Sequence, residues 1–226
     1  YRGELQVEQA DGFVRAAFTG NYFFNYSNRQ GGLNLRLFAG KFFYTEAKTF
    51  LSQFETDRYH LNLTGANGYE DYTYSDYFPG RNKFQGAASQ QIMARDGFFK
   101  VRTDLLSSKV GKTDNWLSAV NLTTDIPKKL NPLSLVGVPV RIFADIGTYA
   151  EAWQANAPSS RFLYDAGFQV SVLQDVVNIY LPILYSTVYS DYFKSTLGKN
   201  RFFKTISFSI DIQRFSLKKI SKSLDF

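Results

Sequence analysis

Hydrophobic and polar positions alternate most regularly across residues 13–26. Val14, Ala16, Phe18, Gly20, Tyr22, Phe24 and Tyr26 hold the even positions. The odd positions Phe13, Arg15, Ala17, Thr19, Asn21, Phe23 and Asn25 are mostly polar. A period of two maintained this long predicts an extended strand with one apolar and one polar face. Ordinary strands run about 5–6 residues, whereas a tilted strand crossing a bilayer needs about 9–11. The pattern recurs in Gly32–Tyr44, Arg58–Ala66, Phe98–Leu106, Trp116–Ile126, Val138–Thr148, Arg161–Val172, Val176–Tyr185 and Phe202–Gln213. Gly3–Gln9 and Gly86–Arg95 are weaker segments of the same kind. Together they predict about eleven strands.

The expected fold is therefore all-β, an antiparallel up-and-down transmembrane β-barrel spanning residues 1–215, followed by a basic tail, 216–226. Closed barrels built from one bacterial chain usually have an even strand number. An odd count thus places at least one further strand upstream of Tyr1, in a barrel of 12 or more strands. The absence of a signal-peptide pattern at Tyr1 agrees with a segment of something longer. Pro182 interrupts the Val176–Tyr185 pattern and predicts a peripheral or bulged position.

Loop lengths assign sides, because outer-membrane barrels have short periplasmic turns and long outer loops. Leu173–Asp175 reads as periplasmic, which puts Tyr149–Ser160 and Ser186–Arg201 outside. Asn67–Gln85, rich in Tyr and Phe, falls outside as well, and the Asp96-Gly97 turn inside. Two connections strain the scheme. Ser27–Gly31 is short for an outer loop, and Thr45–Asp57 is long for an inner one.

Composition narrows the class further. Phe and Tyr number 22 and 15, against two Trp and no Cys. Aromatics suit strands and membrane-interface girdles, and the lack of Cys excludes disulfides and thiolate metal sites. The net charge of +6 is not gathered into a basic stripe, so nucleic acid is not an expected partner. A single histidine, His60, excludes an HExxH zinc motif. It reads as a satisfied histidine on a polar strand face. No catalytic residue, metal or cofactor is predicted, and the expected location is the bacterial outer membrane. The lipid bilayer is the expected partner, with other outer-membrane proteins as a second class.

The polar face collects Arg15, Arg36, Lys100, Arg102 and Arg141 with Asp104, Asp125, Asp145, Asp165 and Asp211. Equal numbers of bases and acids fit an occluded lumen held by ion pairs better than a substrate path. Lys41 and Lys204 break the apolar faces near strand ends, where long side chains reach the interface. In the aromatic loop, Tyr69, Tyr72, Tyr74, Tyr77, Phe78 and Arg81 have the composition of a partner-binding hot spot.

Six segments carry a resemblance: GGLNLRLFAGKFF (Gly31–Phe43), GANGYEDYTYSDYFPGR (Gly65–Arg81), SQQIMARDGFFK (Ser89–Lys100), DNWLSAVNLTTDIP (Asp114–Pro127), VRIFADIGTY (Val140–Tyr149) and YDAGFQVSVLQDVVNIYLPILYS (Tyr164–Ser186). The set resembles the C-terminal, barrel-like region of aminopeptidase-N-like (gluzincin) metallopeptidases of Bacteroidota. The resemblance implies an outer-membrane anchor for a zinc peptidase domain lying upstream, and none of that family's catalytic residues maps onto this chain. Outer-membrane barrels also often finish on a strand ending in Phe. Phe226 resembles that signal, although the basic segment Ser216–Asp225 separates it from the last patterned strand. Two rival readings accompany the anchor. One is a barrel subunit of a transport or assembly complex. The other is a soluble ligand-binding barrel, with the apolar face inward and the charged face outward.

Overall fold

The computed structural model describes residues 1–27, 31–47, 60–64, 90–102, 110–127, 129–133, 137–173 and 175–211. In chain order the strands are β1 (Arg2–Ala10), β2 (Phe13–Asn25), β3 (Gly32–Tyr44), β4 (Leu61–Asn62), β5 (Lys112–Thr113), β6 (Trp116–Asp125), β7 (Val140–Tyr149), β8 (Leu163–Val172), β9 (Val177–Tyr185) and β10 (Ser207–Ile210). Two helices, α1 (Thr187–Leu197) and α2 (Arg201–Thr205), lie between β9 and β10.

Eight strands form one antiparallel meander in the order β1-β2-β3-β6-β7-β8-β9-β10, and β4 and β5 pair separately. The long period-two segments became the long strands: β2 and β3 have 13 residues each, and β6, β7 and β8 have 10. The sheet is open, and among the described residues no closed barrel is formed. At one edge, β1 pairs with β2 alone among the described strands. At the other, β10 pairs with β9 and takes a single parallel bridge from Gln91.

Four expected strands are corrected. Phe98–Arg102, the described part of Phe98–Leu106, is not a strand. Positive φ at Asp96 (43°) and Phe98 (48°) turns the chain out of an extended path. Among its described residues, Gly86–Arg95 contributes the Gln91 bridge alone, and the described part of Arg58–Ala66 holds the two residues of β4. Of the described part of Phe202–Gln213, only Ser207–Ile210 forms a strand, because residues 201–205 coil into α2. The connection Ser186–Arg201 is mostly α1, which buries Tyr189 and Phe193, four residues apart, on one face. The Pro182 expectation holds: the β8–β9 register shifts at Ala166/Gly167, where Gly167 faces Pro182.

These corrections reassign the sides of Ser27–Gly31 and Thr45–Asp57, while residues 126–139 form a long connection at the end of the short turns. Residues 45–115 connect β3 to β6 as an insertion, and its described residues add no strand to the eight-stranded sheet. It leaves from the same end as Tyr149–Ser160 and the α1–α2 connection. Ser27–Gly31 then joins Leu173–Asp175 at the opposite end, among the tight connections. We call these the insertion end and the turn end.

Burial is inverted relative to a protein stabilised by a dry core. The face bearing Phe18, Leu37, Leu122, Ile142, Ile146 and Phe168 is bare, with Leu37 43 % and Ile146 46 % exposed. The opposite face, which carries the charges, is covered by the insertion. Near the insertion end the contact is apolar: Leu61, Leu63, Phe99, Val101 and Val110 pack on Phe38, Phe42, Leu117, Tyr149 and Leu163, with Tyr189 and Phe193 of α1 beside them. Gly147 permits this approach, since a Cβ there would lie 2.5 Å from Leu63 Cδ2.

Candidate functional site

Sheet register builds the polar layer. Across neighbouring strands, Arg36 of β3 stands opposite Asn121 of β6, Asn121 opposite Asp145 of β7, and Asp145 opposite Asp165 of β8. All four are buried. Like charges directly opposite one another destabilise a sheet, so the Asp145–Asp165 pair needs donors from elsewhere.

The insertion supplies them. Lys100 Nζ contacts both Asp145 oxygens, at 2.9 and 3.1 Å, and also donates to the Phe98 carbonyl at 2.7 Å. The backbone N–H groups of Lys100 and Val101 donate to Asp165 Oδ2 at 2.8 and 3.0 Å. Asn121 Nδ2 donates to Asp145 Oδ1 and to the Gly97 carbonyl. Arg36 Nη1 donates to Asn121 Oδ1 and to the Asp96 carbonyl. The ammonium of Lys100 also lies 3.9 Å from the Phe98 ring centroid. From β10, Ser207 Oγ donates to the Lys100 carbonyl.

Local conformation explains the delivery. Positive φ at Asp96 and Phe98 aims the Asp96 and Gly97 carbonyls at the row, and Asp96 Oδ2 accepts from the Asn62 N–H at 3.2 Å. The Asp165 carboxylate takes the two N–H groups that a strand at Phe98–Leu106 would have given to a neighbouring ladder. Lys100 and Asp145 are 1 % and 0 % exposed at the side chain, so each charge depends on the other.

A second cluster closes the turn end. Arg141 donates to Asp125 at 2.8 Å and to Asp175 at 2.7 Å, with Ser171 Oγ also accepting from it. Asp125 in turn accepts from the Gly32 N–H. Near the free edge, Arg15 pairs with Glu8 of β1 at 2.9 Å.

The structure therefore gathers Arg36, Lys100, Asp145 and Asp165 into one layer and Asp125 with Arg141 into another. Arg15 lies apart with Glu8, and Arg102 is buried on the insertion. Asp211 follows β10, with its N–H on the Val176 carbonyl. Lys100 reaches the covered face from the insertion rather than from a strand of the sheet. Asp104, the loop residues Tyr69, Tyr72, Tyr74, Tyr77, Phe78 and Arg81, and the tail 216–226 lie outside the described residues. His60 is half-buried at the start of residues 60–64.

Sequence reasoning did not single out Asn121, which bridges Arg36 to Asp145, or Asp175, the second carboxylate on Arg141. Asn121 was legible only as one polar position among several on β6. Asp175 lies in a short turn, where an acid is usually solvated. The phenol of Tyr189 on α1 is buried without a hydrogen-bond partner. Burial first, then nearby Asp165 and Tyr149, pushes its pKa well above the usual phenol range.

Chemically, the layer is a clamp. Its charged groups point at the protein's own backbone and at each other, and they fix the insertion on the sheet. The class defined by fold and site is an open antiparallel meander with a bare apolar face and a clamped polar one. No family model matches the chain, and neither a curated protein nor a solved structure matches it.

Proposed function

We propose that this chain is the membrane-embedded part of a bacterial outer-membrane protein, an anchor and scaffold with no chemistry of its own. The observation that carries the reading is the inverted burial. Isolated apolar residues on a surface are ordinary, but a contiguous apolar face across a whole sheet marks a surface that water does not wet. Here it runs from Leu5 and Val7 on β1 to Ile183 on β9, while Lys100, Asp145 and Asp165 are enclosed on the other side. In hydrocarbon this is the favourable arrangement, with lipid against the apolar face and charges paired inside.

Two further features support it. Strands β2, β3, β6, β7, β8 and β9 have the length that a tilted bilayer crossing requires. The two longest connections, residues 45–115 and 186–206, leave from the same end, as long outer loops of an outer-membrane barrel do, and the reading takes that end as outside; residues 126–139 are a long connection at the other end. An unpaired strand edge cannot stand in hydrocarbon. The reading therefore includes a strand, from outside the described residues, that covers the edge of β1 and lets the sheet close into a barrel. The resemblance to the barrel-like region of gluzincin metallopeptidases suggests what is anchored: a zinc peptidase domain in the same protein.

The test is extraction of the full-length protein from cell envelopes. It is expected to stay in the outer-membrane pellet through alkaline carbonate and to be released by detergent. Release by carbonate alone means that the bare face is covered by protein rather than lipid, and the anchor reading fails.

A further inference from the structure

The insertion end of the bare face ends in aromatic rings paired with cations. Lys41, near the end of β3, holds its Nζ 5.4 Å from the Phe43 ring centroid, and its register partner on β6 is Trp116. At the β7–β8 connection the Arg161 guanidinium lies 4.9 Å from the Trp153 ring, which packs edge-on against Phe162. The Trp153 indole N–H donates to Thr148 Oγ1 at 2.8 Å, and that hydroxyl donates to the Arg161 carbonyl. This fixes the indole over the end of β7. Both tryptophans of the chain are thus at this end. Beside β9, α2 presents exposed Phe202 and Phe203 between exposed Lys199, Arg201 and Lys204. Among the described residues, the exposed acids at this end are Asp11 and Glu46, on the β1–β3 side, and Asp191, which pairs with Lys194. Among the described residues, the β7–β10 side therefore carries an excess of cations.

Resting on the membrane reading above, we infer that this rim binds the phosphates of anionic lipid headgroups, with Arg161 and the α2 cations as the contacting charges. The rings set the depth. An aromatic side chain with a polar tip settles at the boundary between hydrocarbon and headgroup. A guanidinium stacked on one is held at that boundary too, where lipid phosphates lie. Lys41 and Lys204 break the apolar pattern at positions where a long side chain reaches this same level. The partner is a lipid surface because the cations continue the apolar face rather than forming a separate pocket.

The experiment uses the full-length protein carrying Trp116→Phe, which leaves Trp153 as this chain's reporter. The protein is reconstituted into vesicles containing either brominated phosphatidylglycerol or brominated phosphatidylcholine at equal mole fraction, and Trp153 fluorescence quenching is read. Should Trp116→Phe fail to fold, the unsubstituted protein serves, since both indoles lie at the same end. Quenching is expected to be stronger with the anionic lipid. Arg161→Gln should reduce that preference by about fivefold, the enrichment one basic residue gives near an anionic surface. Equal quenching by the two lipids overturns this inference and leaves the membrane reading standing. A preference that survives Arg161→Gln combined with Lys204→Gln overturns the assignment to these residues. No quenching by either lipid overturns the membrane reading, and this inference with it.

Discussion

Lys100 shows how much one side chain on an inserted segment can carry. It neutralises Asp145 through its ammonium, and its backbone N–H serves Asp165. Truncating one partner of a buried pair leaves the other charge without compensation, at a cost of about 3–5 kcal/mol. Lys100→Met is therefore expected to destabilise the protein by that amount, read as a lowered midpoint of thermal unfolding in detergent. An unchanged midpoint would mean that the clamp contributes nothing. Tyr189→Phe is the counter-case, because it removes a buried hydroxyl that no group in the structure satisfies. It should leave the same midpoint within the error of the measurement or raise it, and a clear loss would reveal a partner for that hydroxyl. The sequence named Lys100 and Asp145 as polar-face residues, because alternation assigns faces. It did not reveal that the two meet, since pairing depends on a path through residues 96–100 that no periodicity encodes.

At the level of elements, strands were legible where alternation ran long, in β2, β3, β6, β7, β8 and β9. Shorter alternating segments failed for identifiable reasons. Phe98–Arg102 alternates as well as a strand does, yet two left-handed residues and the Asp165 carboxylate divert its backbone. Arg201–Thr205 alternates only briefly and coils instead, with Asn200 in the left-handed region before it. The β8–β9 bulge was announced by Pro182, but its tolerance rests on Gly167. A Cβ there would come within 2.0 Å of the Leu181 carbonyl oxygen, which is backbone and cannot swing aside. Gly167→Ala should displace the bulge and cost about 1–3 kcal/mol, visible as a lowered unfolding midpoint. Gly137→Ala, where no atom lies within 4 Å, meets no such clash and serves to calibrate the strain of positive φ alone.

For the whole molecule, the consequential feature is which face of the sheet meets its surroundings. Leu37 lies on the bare face, one residue from clamped Arg36, and its outcome on substitution differs between solvents. In water, Leu37→Arg at an exposed position would change stability by no more than about 0.5 kcal/mol. Against hydrocarbon at mid-depth it costs about 2–4 kcal/mol. The expected result is a strong loss of folded protein in outer membranes, scored by resistance to carbonate extraction and by protease protection. Normal levels of Leu37→Arg would place that face against water or protein.

Alternation alone determined the long strands, their two-faced character and the place of Arg36, Asn121, Asp145 and Asp165 on the polar positions of their own strands. These follow from the two-residue repeat of an extended backbone, a local property of any strand. Only the tertiary structure decided that the described residues of the excursion between β3 and β6 add no strand to the eight-stranded sheet. It also decided that this excursion covers the charged face and that the apolar face is left bare. Those outcomes depend on contacts between residues far apart in sequence, such as Lys100 with Asp145 and Leu63 against Gly147. A short-range pattern carries no record of such pairings.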